Sequence, residues 1–126
     1  MEVLQTMPQG TVLVVDDDDS IRSALKAVLE DEGYRVEAAG NGLEALVVCG
    51  NGLPSLIVLD LMMPKMDGVT FMEVLRRGYP CPPPVLVLSA SHKAPEQVKQ
   101  MGVEGYLAKP FDLDDLLDAV GRLVRV

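Results

Sequence analysis

The sequence predicts a single α/β domain in which one parallel sheet of five strands is covered by helices on both faces. The chain has 126 residues, 48% of them hydrophobic, which is enough for one compact core. Continuous apolar runs, such as residues 12–15 and 56–59, are typical of strands buried on both faces. Helical patterns alternate with such runs five times within about 115 residues, which favours an open sheet because a closed eight-stranded barrel needs roughly twice that length.

The five predicted strands are short, and four of them are followed directly by a polar residue. They cover residues 12–15, 34–38, 56–59, 85–88 and 105–108.

None of the apolar runs approaches the roughly 20 residues that span a bilayer, and residues 1–5 lack the basic and apolar regions of a signal peptide. We therefore expect a soluble cytoplasmic protein with no membrane partner.

Five helices are predicted from apolar spacing and from capping residues. They cover residues 20–31, 42–49, 69–77, 95–101 and 113–124, the last with Asp112 as N-cap and with Asp114 and Asp115 in its first turn. Three of these helices have a predicted inward stripe: Ile21, Ala24, Leu25, Val28 and Leu29 in the first, Leu43, Leu46 and Val47 in the second, and Leu113, Leu116, Leu117, Val120, Leu123 and Val124 in the last.

Composition excludes several classes of site. With 11 basic and 19 acidic residues the formal net charge is −8, which would repel a nucleic-acid backbone, so direct nucleic-acid binding by this domain is not expected. Cys49 and Cys81 have no metal-ligand spacing, and we interpret both as reduced, with a redox pair as the alternative. The single histidine, His92, lies in a polar stretch and is expected to face solvent.

Acidic residues follow two of the predicted strands. The run 16–19 comes directly after the first strand, and Asp60 directly after the third. A charge run is usually a solvated loop or a helix start, but ligand sites in open parallel sheets lie at the carboxyl ends of the strands. If these strands are neighbours, Asp16, Asp17 and Asp60 converge, and two carboxylates about 4 Å apart repel by roughly 4 kcal/mol at an effective dielectric near 20. Such a cluster either takes up a proton or binds a cation, and all-oxygen ligation suits Mg²⁺.

The other strand ends supply complementary groups. Lys109 follows the fifth strand, and Ser89 follows the fourth. Acids that hold a cation, together with an ammonium and a hydroxyl that can bind phosphoryl oxygens, suit a metal-bound phosphoryl group.

Four motifs together resemble the receiver domain of two-component response regulators, of the chemotaxis-receiver type. They are Val14-Val15-Asp16-Asp17-Asp18, the segment from Leu59-Asp60 through Pro64-Lys65-Met66-Asp67-Gly68, Leu88-Ser89-Ala90, and Tyr106-Leu107-Ala108-Lys109-Pro110-Phe111. The resemblance covers residues 11–126, with residues 1–10 as a tail. It implies a flavodoxin-like fold with strand order 2-1-3-4-5, and it leaves Asp18 and Asp19 as helix-entry residues.

The resemblance implies a role for each matching residue. Asp60 would be the phosphoacceptor, which takes a phosphoryl group from a phosphohistidine on a sensor histidine kinase or phosphotransfer protein. Asp17 would bind Mg²⁺ directly and Asp16 often through water, with Asp60 and the backbone carbonyl of Met62 as further ligands. Lys109, turned inward by a cis Lys109–Pro110 peptide, would pair with the phosphoryl group. Ser89 and Tyr106 would form a switch that changes the surface of the fourth helix, fifth strand and fifth helix.

The remaining expectations concern output. The chain would act on a downstream protein or effector domain, either as a stand-alone receiver or as one module of a longer regulator or hybrid kinase, and the resemblance allows for a dimer that forms on phosphorylation. The short interval between Ser89 and Tyr106, with Pro95 inside it, predicts a short or irregular fourth helix. In the family that the sequence resembles, the positions of Met62 and Ser91 tune the lifetime of the acyl phosphate, but these two residues predict no rate. The alternatives are a receiver that acts without phosphorylation and a small Mg²⁺-dependent aspartyl phosphatase; otherwise the protein is not an enzyme beyond its own phosphorylation and dephosphorylation.

Overall fold

The computed structural model describes residues 10–63 and 65–124. Strands and helices alternate along them: β1 (Thr11–Val15), α1 (Asp19–Asp31), β2 (Arg35–Ala39), α2 (Gly42–Gly50), β3 (Leu56–Asp60), α3 (Gly68–Gly78), β4 (Val85–Ser89), α4 (Ala94–Met101), β5 (Gly105–Ala108) and α5 (Leu113–Leu123). Most of the predicted tail, Pro64 and the last two residues lie outside the described part of the chain. All five predicted strands and all five predicted helices are present, and no bound differs from the prediction by more than one residue.

The sheet is parallel throughout, with the order β2-β1-β3-β4-β5. β1 pairs with both β2 and β3, so that Val15 lies beside Ala39 on one side and beside Leu59 on the other. Asp60 then lies beside Leu88, and Ser89 beside Ala108. The predicted fold class and strand order are confirmed, and the register brings the carboxyl ends of β1, β3, β4 and β5 to one edge of the sheet.

Alternating strand residues pack into two apolar layers because successive side chains of a strand point to opposite faces. On one face Leu13, Ile57 and Val87 join Phe71 and Leu75 of α3, together with residues from α2 and α4. The opposite face packs against α1 and α5, and its members include Val12, Val14, Val58, Leu88, Leu25, Leu29, Leu116 and Val120. Helices therefore cover both faces, as the unbroken apolar strands predicted.

The predicted inward stripe of α2 is wrong at two positions. Leu43 is 49% exposed and Val47 66% exposed, whereas Ala45 and Cys49 are buried. The helix packs through these small residues, and a Cβ added at Gly42 would lie 2.8 Å from the Met66 side chain. Because each helical residue turns by 100°, Leu43 and Val47 lie opposite Ala45 and face solvent.

Two other inward predictions also fail. Ala24 is exposed because the buried stripe of α1 is narrower than predicted and centres on Leu25 and Leu29. Leu113 is 49% exposed because it is the first residue of α5, and the buried residues of that helix begin at Leu116.

Helix starts follow the prediction at α1 and only partly at α5. The Asp18 carboxylate accepts hydrogen bonds from the backbone N–H groups of Ser20 and Ile21, and Asp19 lies in the first turn. Asp112 occupies the N-cap position of α5, but its side chain makes no capping hydrogen bond. α4 is a short helix of 8 residues with Pro95 in its first turn, as predicted.

The structure also bears on the predictions for the histidine and the two cysteines. His92 is exposed, and neither Cys49 nor Cys81 is in a disulfide. Within residues 10–63 and 65–124, no helix has both the length and the apolar character needed to cross a membrane.

Candidate functional site

The site lies at the carboxyl edge of the sheet, where three acidic side chains come together. Asp16 and Asp17 directly follow β1, and Asp60 is the last residue of β3. One carboxylate oxygen from each of the three lies within 4.8 Å of the others. The convergence predicted from neighbouring strands is therefore present.

Asp16 is held at every polar atom. Its backbone N–H donates to the carbonyl of Ala39 at 3.1 Å, its Oδ1 accepts from the Asp18 N–H at 2.9 Å, and its Oδ2 lies 3.2 Å from the Lys109 Nζ. The residue is only 1% exposed. Asp17, its neighbour, is exposed and directs its carboxylate to the same cluster.

Asp60 is buried against Lys109. It is 7% exposed; its Oδ1 accepts from the Met62 N–H at 3.0 Å, and its Oδ2 lies 3.5 Å from the Lys109 Nζ. Burial raises the pKa of Asp60 and the Asp16 charge adds to that, although the Met62 N–H and Lys109 oppose it. The ionised form of Asp60 is thus destabilised by its surroundings and would gain from a cation beside it.

Lys109 reaches the acids from the end of β5. The Lys109–Pro110 peptide is cis, as predicted, and the Lys109 N–H donates to the Ser89 carbonyl at 3.0 Å, which ties β5 to the end of β4. Burial alone would lower the pKa of Lys109, but the charges of Asp60 and Asp16 outweigh it and raise that pKa. The ammonium therefore stays charged between the two buried carboxylates.

Ser89 and Tyr106 lie on adjacent strands beside the acids. Ser89 is 1% exposed, and its Oγ accepts a hydrogen bond from the Ser91 N–H at 3.2 Å. Tyr106 lies opposite Val87, two residues before the partner of Ser89, and is partly buried against the α2, α3 and α4 side of the sheet. The Met62 side chain is 65% exposed, so its link to the site is through its backbone.

Sequence reasoning missed two residues that shape this site. Arg22 donates from Nη1 to the Asp16 carbonyl at 2.7 Å. Gly68, the first residue of α3, lies so close to β3 that an added Cβ would be 2.9 Å from the Asp60 carbonyl oxygen. Gly68 enters the prediction only as part of a motif. Arg22, on the first turn after the acidic run, is the sequence signal from which its contact with the site could be inferred.

The residues present fit a divalent cation. The cluster offers only oxygen ligands, and its three carboxylates and single ammonium leave a formal charge of −2. Hard oxygen ligands with one exposed member, which leaves room for water, are what Mg²⁺ takes in proteins.

Comparison with known sequences agrees with this geometry. The model of the response regulator receiver domain family matches residues 12–121. The response regulator MprA of Mycobacterium tuberculosis is 41% identical over 116 residues, which are 90% of this chain and 50% of that protein. MprA of Mycobacterium leprae is 40% identical over 117 residues with the same coverage. The chain thus spans about half the length of the curated relatives it matches.

Solved structures give the same result. The chemotaxis protein CheY4 of Vibrio cholerae superposes with a TM-score of 0.82 at 35% identity, covering 94% of this chain and 99% of that one. The response regulator TrrA of Thermotoga maritima, solved in complex with Mg²⁺ and BeF, has a TM-score of 0.81 at 32% identity, with coverage of 90% and 98%. By its sequence match and its fold, the chain belongs to the response regulator receiver domain family.

Proposed function

We propose that this chain is a phosphoacceptor signalling domain in which Asp60 takes a phosphoryl group from a phosphohistidine of a sensor histidine kinase or phosphotransfer protein. The observation that carries the proposal is the convergence of Asp16, Asp17 and Asp60 within 4.8 Å, with Lys109 between the two buried acids. The proposed domain covers residues 11–126, with residues 1–10 as a tail.

Asp60 is suited to act as the nucleophile. A carboxylate needs no general base, and Asp60 is fixed at the end of β3 by the Met62 N–H on Oδ1. A lone pair of an Asp60 oxygen attacks phosphorus; the new O–P bond forms as the P–N bond to the donor imidazole breaks, and the imidazole leaves with that bonding pair. Lys109, which already contacts Asp60 Oδ2, can donate to a phosphoryl oxygen and offset its charge.

Asp16 and Asp17 are proposed to contact the cation in different ways. Asp17 is exposed and has an open carboxylate, which suits a direct ligand, whereas both Asp16 oxygens already accept hydrogen bonds, which suits contact through water. Asp60 and the Met62 backbone carbonyl complete the proposed set. Bound there, Mg²⁺ would neutralise negative charge on the transferring phosphoryl group.

Ser89 and Tyr106 are proposed to carry the signal outward. The Ser89 hydroxyl is buried at the end of β4 and holds the Ser91 N–H, which lies just before α4. The Ser89 O–H would donate to an oxygen of a new phosphoryl group on Asp60 and move toward it, and Tyr106 would follow into the vacated space. The surface of α4, β5 and α5 would thereby change and be read by a downstream protein or effector domain, or by a second copy in a phosphorylation-dependent dimer.

The test uses acetyl phosphate, a small phosphodonor, with intact-mass detection. With Mg²⁺, the wild-type chain should gain one phosphoryl group, the Asp60→Asn variant none, and the control Asp31→Asn, which alters an exposed aspartate at the end of α1, should react as wild type. EDTA should abolish the gain. Equal labelling of the Asp60→Asn variant would refute the proposal, and no labelling of the wild type would favour a receiver that acts without phosphorylation.

A further inference from the structure

Arg22 on the first turns of α1 reaches back to the end of β1. Its Nη1 donates to the Asp16 carbonyl oxygen at 2.7 Å, and its Nη2 forms an ion pair with the Asp19 carboxylate. The side chain is only 23% exposed. One guanidinium therefore bridges the start of the helix and the strand end that carries the acidic pair.

The carbonyl that Arg22 holds belongs to the peptide group that joins Asp16 to Asp17. The Asp16 side chain has its own partners in the Asp18 N–H and Lys109, but within residues 10–63 and 65–124 the Asp17 carboxylate accepts no hydrogen bond. Within this part of the chain, Asp17 is therefore positioned through its backbone. Arg22 fixes the peptide plane from which Asp17 projects.

The β2–α2 turn lies beside the Arg22 guanidinium. A Cβ built on Gly40 would lie 3.4 Å from the Arg22 Nη1 and 3.6 Å from a Glu44 carboxylate oxygen. The Gly40 N–H donates to Glu44 Oε1 at 3.1 Å, which fixes the turn itself. The guanidinium thus lies beside this turn, and an added Cβ at Gly40 would only reach ordinary contact distance from it.

The charge of Arg22 is cancelled by its second partner. A positive charge beside the acidic cluster would repel a cation, yet Asp19 pairs with the guanidinium and returns the local charge to zero. Arg22 can therefore fix the 16–17 peptide without repelling a cation bound nearby.

We propose that Arg22 is a positioning residue that orients Asp17 towards the bound cation through the 16–17 peptide, while Asp19 neutralises its charge. This inference rests on the proposed function, because it assumes that the acidic pair holds Mg²⁺. Residues that orient metal ligands typically change affinity by about 10- to 100-fold when removed.

The test measures Mg²⁺ affinity by NMR titration of the unphosphorylated protein, with the Asp17 amide shift as a readout that a merely structural role would not move. Arg22→Ala should weaken binding by about 10-fold, and Arg22→Lys should recover part of it because an ammonium can still donate to the Asp16 carbonyl. Asp19→Asn leaves the hydrogen bond from Arg22 to the Asp16 carbonyl in place but removes the partner of the guanidinium charge. Its Mg²⁺ binding should be weaker only at low salt, whereas the weaker binding of Arg22→Ala should persist at high salt. Lys26→Ala, which removes an exposed positive charge from the same helix, is the matched control and should not weaken binding.

The direction of the change in Mg²⁺ affinity separates a positioning role of Arg22 from a purely electrostatic one. If Arg22 acted only through its charge, Arg22→Ala would bind Mg²⁺ more tightly than wild type, and that result, or unchanged affinity in a variant whose circular dichroism matches wild type, would overturn the proposal. If Arg22→Ala does not fold, Arg22→Met takes its place, because methionine keeps an apolar side chain of similar length and cannot donate. Wild-type Mg²⁺ affinity with an unchanged Asp17 amide shift in that variant would overturn the proposal. Absence of saturable Mg²⁺ binding by the wild type would instead overturn the metal site of the proposed function.

Discussion

Replacing Asp60 by asparagine should stabilise the metal-free protein, although the change removes an ion pair. At 4.8 Å two carboxylates repel by about 3.5 kcal/mol at an effective dielectric near 20, and Asp60 has two such neighbours within that distance. Its attraction to the Lys109 Nζ at 3.5 Å is about 5 kcal/mol on the same scale. The variant therefore gains about 2 kcal/mol, which solvent screening at the exposed Asp17 reduces to about 1 kcal/mol. The asparagine keeps the side-chain oxygen that accepts from Met62.

Urea unfolding followed by circular dichroism measures this difference. In EDTA at low salt and neutral pH, the free energy of unfolding of Asp60→Asn should exceed that of wild type by about 1 kcal/mol. Mg²⁺ at 100-fold above its dissociation constant should stabilise the wild type by about 2.7 kcal/mol. It should stabilise the variant, which has lost one carboxylate ligand, by less, and the order of stability should reverse.

The difference should also depend on pH. Burial, with the Asp16 charge, raises the pKa of Asp60 above its ordinary value in the folded protein. A raised carboxyl pKa contributes stability that is fully present below the unfolded-state pKa and is lost as pH rises through the folded-state pKa. In EDTA the difference in free energy of unfolding between Asp60→Asn and wild type should therefore be largest at neutral pH. It should shrink as the pH falls through the folded-state pKa of Asp60.

Two outcomes would contradict this reasoning. The first is an Asp60→Asn variant that is less stable than wild type in EDTA, since the ion pair would then outweigh the repulsion. The second is an equal gain in Asp31→Asn, since Asp31 is exposed at the end of α1 and a general relief of the net charge of −8 would then suffice.

The other predictions concern glycines and thiols. Gly50→Ala, at the last residue of α2 with open space around the added Cβ, should stabilise by about 0.5 kcal/mol, whereas Gly102→Ala at φ 64° should destabilise by about 1 kcal/mol; equal signs in urea unfolding would contradict the backbone argument. Gly68→Ala should force the backbone after Asp60 to move, costing about 1–3 kcal/mol and slowing acetyl phosphate labelling, and an unchanged rate would show that the close approach is not needed. Ellman's reagent should modify the exposed Cys81 quickly and Cys49 only on unfolding, because burial and the Glu37 charge raise the pKa of the Cys49 thiol; two fast thiols would contradict the packing of α2.

The site residues could be predicted because strand ends in a parallel sheet share an edge. Asp16, Asp60 and Lys109 each follow an apolar run, so their placement needed only the strand assignments and the order of strands. The contacts of Arg22 and the close approach of Gly68 depend instead on how helices dock on the sheet, which periodicity does not specify.

The apolar stripe of α2 shows the same limit. Leu43 and Val47 have the spacing of a buried face, yet the helix approaches the sheet through Ala45 and Cys49. In a helix that is apolar nearly all round, the spacing of its residues cannot select a face, and the small residues that allow close packing decide it.

Locating the phosphoryl group by peptide mapping tests the central claim most directly. After reaction of the wild-type chain with acetyl phosphate and Mg²⁺, the added group should be found on Asp60, at the end of β3 beside Lys109. A phosphoryl group on Asp16, Asp17 or any other residue, with Asp60 unmodified, would contradict the account.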